Sequence, residues 1–297
     1  MIINQKETSE YIIKWIFDYI TSAKLDTLVV GLSGGIDSAL VALLCKATKL
    51  PVVCANIPCH SSSSAFERAD AFAQEHDLKL IKINLDDIHE LITSQAPVVP
   101  TLSFTNEHSK QALSALRSCL RAPVLSYIAT ATHGLIVGTG NRSEDRITRY
   151  FQKFGDGCVD ICPISDLFKS EVYVLFKALT SNNEKNKMGP ASKAIYEAGP
   201  SADLWGPDAG QTDEGELGIT YNEIEWADRE DTCSSIMPRN GIIFNDKDPQ
   251  SNYRWNSYST RQKEIIEKLW KIEKISRHKY NPILPICIIR NQIHLVK

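Results

Sequence analysis

No apolar run in this 297-residue chain approaches the roughly 20 residues needed to cross a bilayer. The opening residues, Met1-Ile2-Ile3-Asn4-Gln5-Lys6, lack the basic-then-apolar layout of a secretion signal. Neither sign of charge dominates. The 33 Lys and Arg against 36 Asp and Glu give a net charge of −3, without the basic surplus of a general nucleic-acid binder. The eight cysteines (Cys45, Cys54, Cys59, Cys119, Cys158, Cys162, Cys233, Cys287) contain no Cys-x-x-Cys pair, which excludes a zinc ribbon or thioredoxin-like motif. Cys158 and Cys162 have no third and fourth ligand at zinc-site spacing. The cysteines read as small buried hydrophobes in a reducing, cytoplasmic compartment. Two phosphate-binding signatures are also missing. There is neither Gly-x-x-x-x-Gly-Lys-Ser/Thr nor Gly-x-Gly-x-x-Gly.

What is present is a globular composition, 43% hydrophobic and 23% charged, with enough chain to bury a sizeable core. Tyr11, Ile12, Trp15, Ile16, Tyr19 and Ile20 recur at helical spacing over 8–24. Short β-rich runs follow at 27–32, 51–57, 80–85 and 135–139. Between them lie helical segments at 37–48, from Ser61–Ser64 through His76, and at 86–94 and 107–132, with others at 169–179 and 260–276. Strands alternating with helices predict an α/β protein with a parallel sheet flanked by helices. Such sheets bind ligands beyond the carboxyl ends of their strands. The turns at 31–38 and 139–144 both fall at such ends. Residues 181–190 and 231–258 are polar and contain Pro and Gly, and they read as surface loops.

The turn Gly31-Leu32-Ser33-Gly34-Gly35-Ile36-Asp37-Ser38 carries the chemistry. Its glycines let backbone approach an anion closely. The helix that follows offers free N–H groups and a positive dipole end, and Ser33 and Ser38 add hydroxyls. The wording Ser-Gly-Gly-x-Asp-Ser resembles the loop of the N-type ATP pyrophosphatases, which hold a leaving pyrophosphate rather than a transferred γ-phosphoryl group.

Downstream segments narrow the resemblance. Gly138-Thr139-Gly140-Asn141-Arg142-Ser143-Glu144 is similar to the Gly-Thr-x-Asn-Lys-Ser-Glu segment of NAD synthetases. Lys153-Phe154-Gly155-Asp156-Gly157-Cys158-Val159-Asp160-Ile161-Cys162-Pro163-Ile164 resembles their Lys-Tyr-Gly-Asp-Gly segment, and Leu167-Phe168-Lys169 their Leu-x-Lys. Pro200-Ser201-Ala202-Asp203-Leu204-Trp205, Gln211 to Tyr221, and His278-Lys279 are also close to family wording. The resemblance spans 8–228 and 258–285.

That resemblance implies a Rossmann-like fold of the adenine nucleotide alpha hydrolase kind, forming one ligase domain over 1–297. Residues 181–190 and 231–258 would be insertions, and no glutaminase domain is expected. The implied activity is amidation of deamido-NAD by ammonia with ATP as co-substrate, through an adenylated carboxylate. Gly31, Leu32, Ser33, Gly34, Gly35, Ile36, Asp37, Ser38, Thr139, Lys169 and Ser201 would contact ATP. Asp37 and Glu144 would hold Mg²⁺, with Asp37 and Lys169 catalytic. Arg121, Lys153, Asp160, His278 and Lys279 would bind deamido-NAD. The family also implies a homodimer, and no nucleic acid or membrane partner is expected.

Two departures stand out. The family's Asn-x-x-x-Arg-x-Arg falls on Ala115, Cys119 and Arg121, so Cys119 occupies the position of an arginine that contacts deamido-NAD. One extra residue separates Glu144 from Lys153, and Arg146 or Arg149 is a candidate for the missing charge. Two alternatives stay open: another ligase on this fold, nucleotide-aminating or tRNA-modifying, and a nucleotide-binding protein without catalysis. The wording of 138–169 and the acidic balance speak against the first. The presence of Asp37, Glu144 and Lys169 speaks against the second.

Overall fold

Thr27–Gly31 forms the central strand, β2, of a four-stranded sheet, because its apolar residues can be covered on both faces. In the computed structural model, which describes residues 2–95, 106–181, 187–201, 212–229, 254–276, 279 and 295–296, β2 pairs in parallel with β3 (Val52–Asn56) and with β5 (Gly134–Val137). The fourth strand, β4 (Lys79–Lys82), lies outside β3, giving the order β4-β3-β2-β5. A short antiparallel pair joins β1 (Ile2–Ile3) to β6 (Leu295–Val296).

The chain steps outward from β2 to β3 and β4, then returns to the other side of β2 as β5. This reversal opens a crevice beyond the carboxyl ends of β2 and β5, where the two turns singled out above lie. Side chains of β2 alternate between the layers. Leu28 and Val30 pack with Ile12, Ile16 and Ile20 of α1 (Gln5–Ser22), Leu40 and Leu44 of α2 (Ile36–Ala47), and Val172, Leu175 and Phe176 of α6 (Lys169–Thr180). Val29 packs on the opposite face with Val53, Leu85, Ile128 and Ile136, beneath α4 (Asp86–Gln95) and α5 (Asn106–Ala131). Helix α3 (Ser63–Glu75) contributes Ala69 and Phe72 to the first layer.

The α/β reading is therefore borne out, with boundaries displaced by a few residues at most. β4 ends at Lys82 where the apolar pattern runs on to Leu85, and α1 begins at Gln5, three residues ahead of its apolar stripe. Helix α5 continues through Pro123, although proline has no N–H for the carbonyl of Cys119 four residues back. The region after α6 needs correction. The sequence marks no helix between 179 and 260, yet this region forms α7 (Pro190–Glu197), α8 (Asp213–Leu217) and α9 (Tyr221–Arg229). These helices are short and capped by context. A Glu75 carboxylate accepts Ala191 N–H and Ser192 N–H at the start of α7, and Thr212 caps α8. Ile219 and Ile224 join Ile265, Ile266 and Leu269 of α10 (Thr260–Ser276) in a second apolar cluster with Ile147 and Phe168. No described helix is long and apolar enough to cross a membrane.

Candidate active site

The glycine loop sits between β2 and α2 and is shaped by its own hydroxyls. Ser33 N–H donates to Ser38 Oγ at 3.2 Å, Gly35 N–H to Ser33 Oγ at 3.2 Å, and the two hydroxyls lie 3.0 Å apart. Gly34 has φ +87°, and a Cβ there would lie 2.2 Å from Ala65 O in the first turn of α3. Only glycine meets both conditions. No side chain caps the start of α2, so the first N–H groups of a twelve-residue helix face the crevice without an intrahelical partner. Free N–H groups at a helix start are the kind of feature that can receive phosphate oxygens.

Across the crevice, the residues after β5 wind into a π-helical turn, Arg142–Thr148, capped by Asn141. Arg142 anchors this turn. Its guanidinium reaches the buried Asp166 at 2.8 Å and the half-buried Asp228 at 2.9 Å. Ser143 Oγ accepts Lys169 N–H at 3.1 Å, tying the turn to the start of α6. Glu144 and Lys169 are thus carried to the loop from two elements. Lys169 Nζ lies 2.5 Å from Asp37 Oδ2 and 2.7 Å from Glu144 Oε1, with 5% of its side chain exposed. Asn141 Nδ2 donates to Asp37 Oδ1 at 3.0 Å. Tyr221 OH lies 2.6 Å from Glu144 Oε1 and 2.9 Å from Asp213 Oδ2.

The electrostatics follow from burial around a single ammonium. Burial pushes Asp37 up, and Lys169 offsets this only in part while Glu144 adds to it. Burial also acts to raise Glu144, but the Lys169 charge and the hydrogen bonds from Lys169, Tyr221 and Asn141 outweigh it and hold this carboxyl below its usual range. Lys169 is raised, because Asp37 and Glu144 overcome the burial that would lower it. Burial and the Glu144 charge push Asp213 up to about 6. Asp145, packed over Gly140, is raised well above its ordinary value by burial and by Asp156, Glu144 and Asp37. The cluster is a crowded anionic site held by one lysine, and a divalent cation or a phosphate would compete for its groups.

The structure brings Asp37, Glu144 and Lys169 together as the sequence predicts. Thr139 stands just beyond β5, half-buried, and Ser201 is exposed. The residues assigned to the dinucleotide are held by different parts of the fold. Arg121 reaches Ile57 O at 3.0 Å and Ser61 Oγ at 3.2 Å, at the end of β3. Asp160 accepts Ile136 N–H at 2.7 Å. Lys279 donates to Arg149 O at 3.2 Å and Phe151 O at 2.6 Å. Lys153 is half-buried, with its ammonium 5.9 Å from the Phe154 ring. His278, the stretch from Ala202 to Gln211, and residues 231–253 of the expected insertion lie outside the described residues. Arg146 and Arg149 pair with Asp166 and Glu273.

Four participants had no assigned role in the sequence reading: Asn141, Asp145, Asp213 and Tyr221. Asn141 was findable, since an asparagine three residues before an acid is a helix-start signal. Tyr221 and Asp213 lie within a quoted motif, but their contact with Glu144 joins positions 77 apart.

A parallel sheet, a crevice at its switch point, an uncapped glycine loop and two carboxylates on one lysine define an α/β nucleotide-binding protein of the pyrophosphate-loop class. Comparison narrows this further. The NAD synthase family model matches residues 8–234. The NH(3)-dependent NAD(+) synthetase of Carboxydothermus hydrogenoformans is 39% identical over 230 residues, covering 76% of this chain and 86% of the relative. Among solved structures, the NMN synthetase from Francisella tularensis superposes with a TM-score of 0.72 at 28% identity, covering 94% of this chain and 97% of that one. The NH3-dependent NAD synthetase from Campylobacter jejuni shares the fold at a TM-score of 0.62 and 21% identity, covering 95% and 99%. The chain belongs to the NAD synthase family.

Proposed function

We propose that this chain joins ammonia to the nicotinate carboxylate of deamido-NAD, converting ATP to AMP and pyrophosphate. The observation that carries the reading is the meeting of Asp37, Glu144 and Lys169 at the mouth of the glycine loop. A carboxylate resists attack because oxide is a prohibitive leaving group. Its oxygen first attacks the α-phosphorus of ATP, the bond to the bridging β-phosphate oxygen breaks, and pyrophosphate leaves. The nitrogen of ammonia then attacks the acyl carbon, AMP departs with the C–O electrons, and nitrogen loses a proton.

Gly31 to Ser38 and the start of α2 receive the pyrophosphate charge. Thr139 and Ser201 meet the rest of ATP. Two carboxylates suit Mg²⁺, which keeps several waters and shares substrate phosphates rather than needing a full protein cage. The described residues contain no group of three or more ligands that would form such a cage. Asp37 and Glu144 would hold the ion, which neutralises developing phosphate charge when bound. Lys169, released from its carboxylates, turns its ammonium to phosphate oxygens. Arg121, Lys153, Asp160, His278 and Lys279 would bind the acceptor, with Asp160 and Lys279 also fixing the loop that carries Lys153. Exposed Leu113 and Tyr127 on α5 and Ile88 and Leu91 on α4 support pairing of two copies. The free, buried thiols of Cys45, Cys54, Cys59 and Cys162 support a reducing, cytoplasmic setting.

The test is to incubate the purified chain with ATP, Mg²⁺, deamido-NAD and ammonium while following AMP and NAD. Both should form together, and absence of both refutes the reading. A second acceptor, nicotinate mononucleotide, is favoured by the likeness to an NMN synthetase and by Cys119 at the dinucleotide end. Running both acceptors in the same assay ranks them by kcat/KM.

A further inference from the structure

The segment from Thr212 to Tyr221 takes no part in the steps above, yet it ends on Glu144. Tyr221 is 7% exposed, and its hydroxyl is the second donor, with the Lys169 ammonium, to reach Glu144 Oε1. Both donors converge on Oε1, and neither is bonded to Oε2. We infer that Tyr221 and Asp213 are positioning residues for the cation-binding carboxylate Glu144, which they hold with Oε2 turned to the ion. The inference rests on the reading of Glu144 as a metal ligand.

The segment is built to fix that hydroxyl. Thr212 Oγ1 accepts Gly215 N–H at 3.2 Å, and Gly218, at φ +63°, ends α8. Glu214 Oε1 accepts Tyr221 N–H at 2.7 Å, so the backbone of Tyr221 is held where α9 begins. Leu217 and Ile219 pack with Ile147 and Phe168. Ile147 is three residues after Glu144, and Phe168 is the neighbour of Lys169, so one apolar cluster sets the segment and both of its targets. Asp213 Oδ2 lies 2.9 Å from the same hydroxyl, whose single proton lies between the two carboxylates. Outer partners of this kind orient a ligand and are worth about 10- to 100-fold in metal affinity.

The experiment measures ATP binding by calorimetry with and without Mg²⁺, and Mn²⁺ binding by electron paramagnetic resonance, which needs no turnover. Tyr221→Phe and Asp213→Ala should each weaken half-saturation by the ion about tenfold. Asp213→Asn, which keeps a hydrogen-bonding group against the phenol, should stay within about threefold. ATP affinity without divalent ion should hold in all three, showing that the loop remains folded. On a Glu144→Gln background, Tyr221→Phe should have no further effect on the ion. Wild-type ion binding in Tyr221→Phe, an undiminished effect on the Glu144→Gln background, or Asp213→Asn as weak as Asp213→Ala would each overturn the inference. If the wild-type chain itself shows no divalent-dependent binding, the assignment of Glu144 fails first and takes the inference with it.

Discussion

Replacing Lys169 by methionine keeps the apolar stem and removes the single cation that holds Asp37 and Glu144 together. Removing one partner of a buried ion pair costs about 3–5 kcal/mol. Two carboxylates left about 5 Å apart repel by about 3 kcal/mol at an effective dielectric near 20. A proton on Asp37 relieves that repulsion. Loading a carboxylate at neutral pH costs about 4 kcal/mol, which caps the loss, and burial already pushes Asp37 in that direction. A loss of about 3–4 kcal/mol corresponds to a fall of roughly 6–15 °C in Tm for a chain of this size.

The signs of the titrations fix the conditions. Glu144 has a lowered folded pKa, so its contribution is present above the ordinary 4.5 and is lost as pH falls through the lower folded value. Lys169 is raised, so its contribution is present below the ordinary 10.5 and is lost only as pH rises through the higher folded value. Glu144 and Lys169 therefore stay charged in the wild type at both pH 5.5 and 7.5, whereas the variant should recover part of its loss at the lower pH as Asp37 protonates. Calorimetric melts at the two pH values, with and without millimolar Mg²⁺, provide the assay. Mg²⁺ should raise the variant's Tm by more than the wild type's, because in the wild type the Lys169 ammonium already neutralises part of the carboxylate charge. A variant melting within about 2 °C of wild type at pH 7.5, or equal stabilisation of both proteins by Mg²⁺, would refute the reasoning.

Other changes probe the same crevice. Asp37→Asn should cut AMP formation by about 10²- to 10³-fold, and near-normal AMP release would remove Asp37 from the metal site. Gly34→Ala forces a methyl against Ala65 O and puts alanine in left-handed backbone at about 1–2 kcal/mol. Its Tm and ATP affinity should therefore both drop, and an unchanged melt would contradict the packing of α3 on the loop. Asp213 is raised from 3.8 to about 6, so the wild type loses stability as pH rises through that window. Asp213→Asn stays neutral, and its advantage in urea unfolding should grow by about 1 kcal/mol or more between pH 5 and 7.5. A constant difference would mean that Asp213 does not titrate there.

The sheet was legible because its signals are local. Thr27–Gly31 and Val52–Asn56 are apolar on both faces, and the glycine turn lies between a β-rich run and a helical one. α8 and α9 were not legible in the same way. Asp213–Leu217 is only five residues long, too short for periodicity to register. What holds α9 is the packing of Ile224 against α10 and Phe168, which no local window contains.

The candidate site divides along the same line. The phosphate end is written contiguously in Gly31–Ser38, because a backbone cradle must be made by consecutive residues. Glu144 and Lys169 could be named only through resemblance, since a lone loop acid and a lysine at a helix start carry no chemistry by themselves. The lysine is in fact unfavourable for the helix dipole, and the Asp37 and Glu144 carboxylates at 2.5 and 2.7 Å supply its compensation. At the acceptor end the residue types survive, but Asp160 and Lys279 bind backbone groups. A matching side chain in a matching motif can therefore serve the loop as well as a ligand. Tyr221 shows the reverse. Nothing local in the sequence marks it, yet its hydroxyl reaches Glu144 Oε1 at 2.6 Å, beside the lysine at 2.7 Å. In this chain the functional weight of a motif residue is set by what its polar atom touches across the fold, and Tyr221→Phe tests that with the loss of a single oxygen.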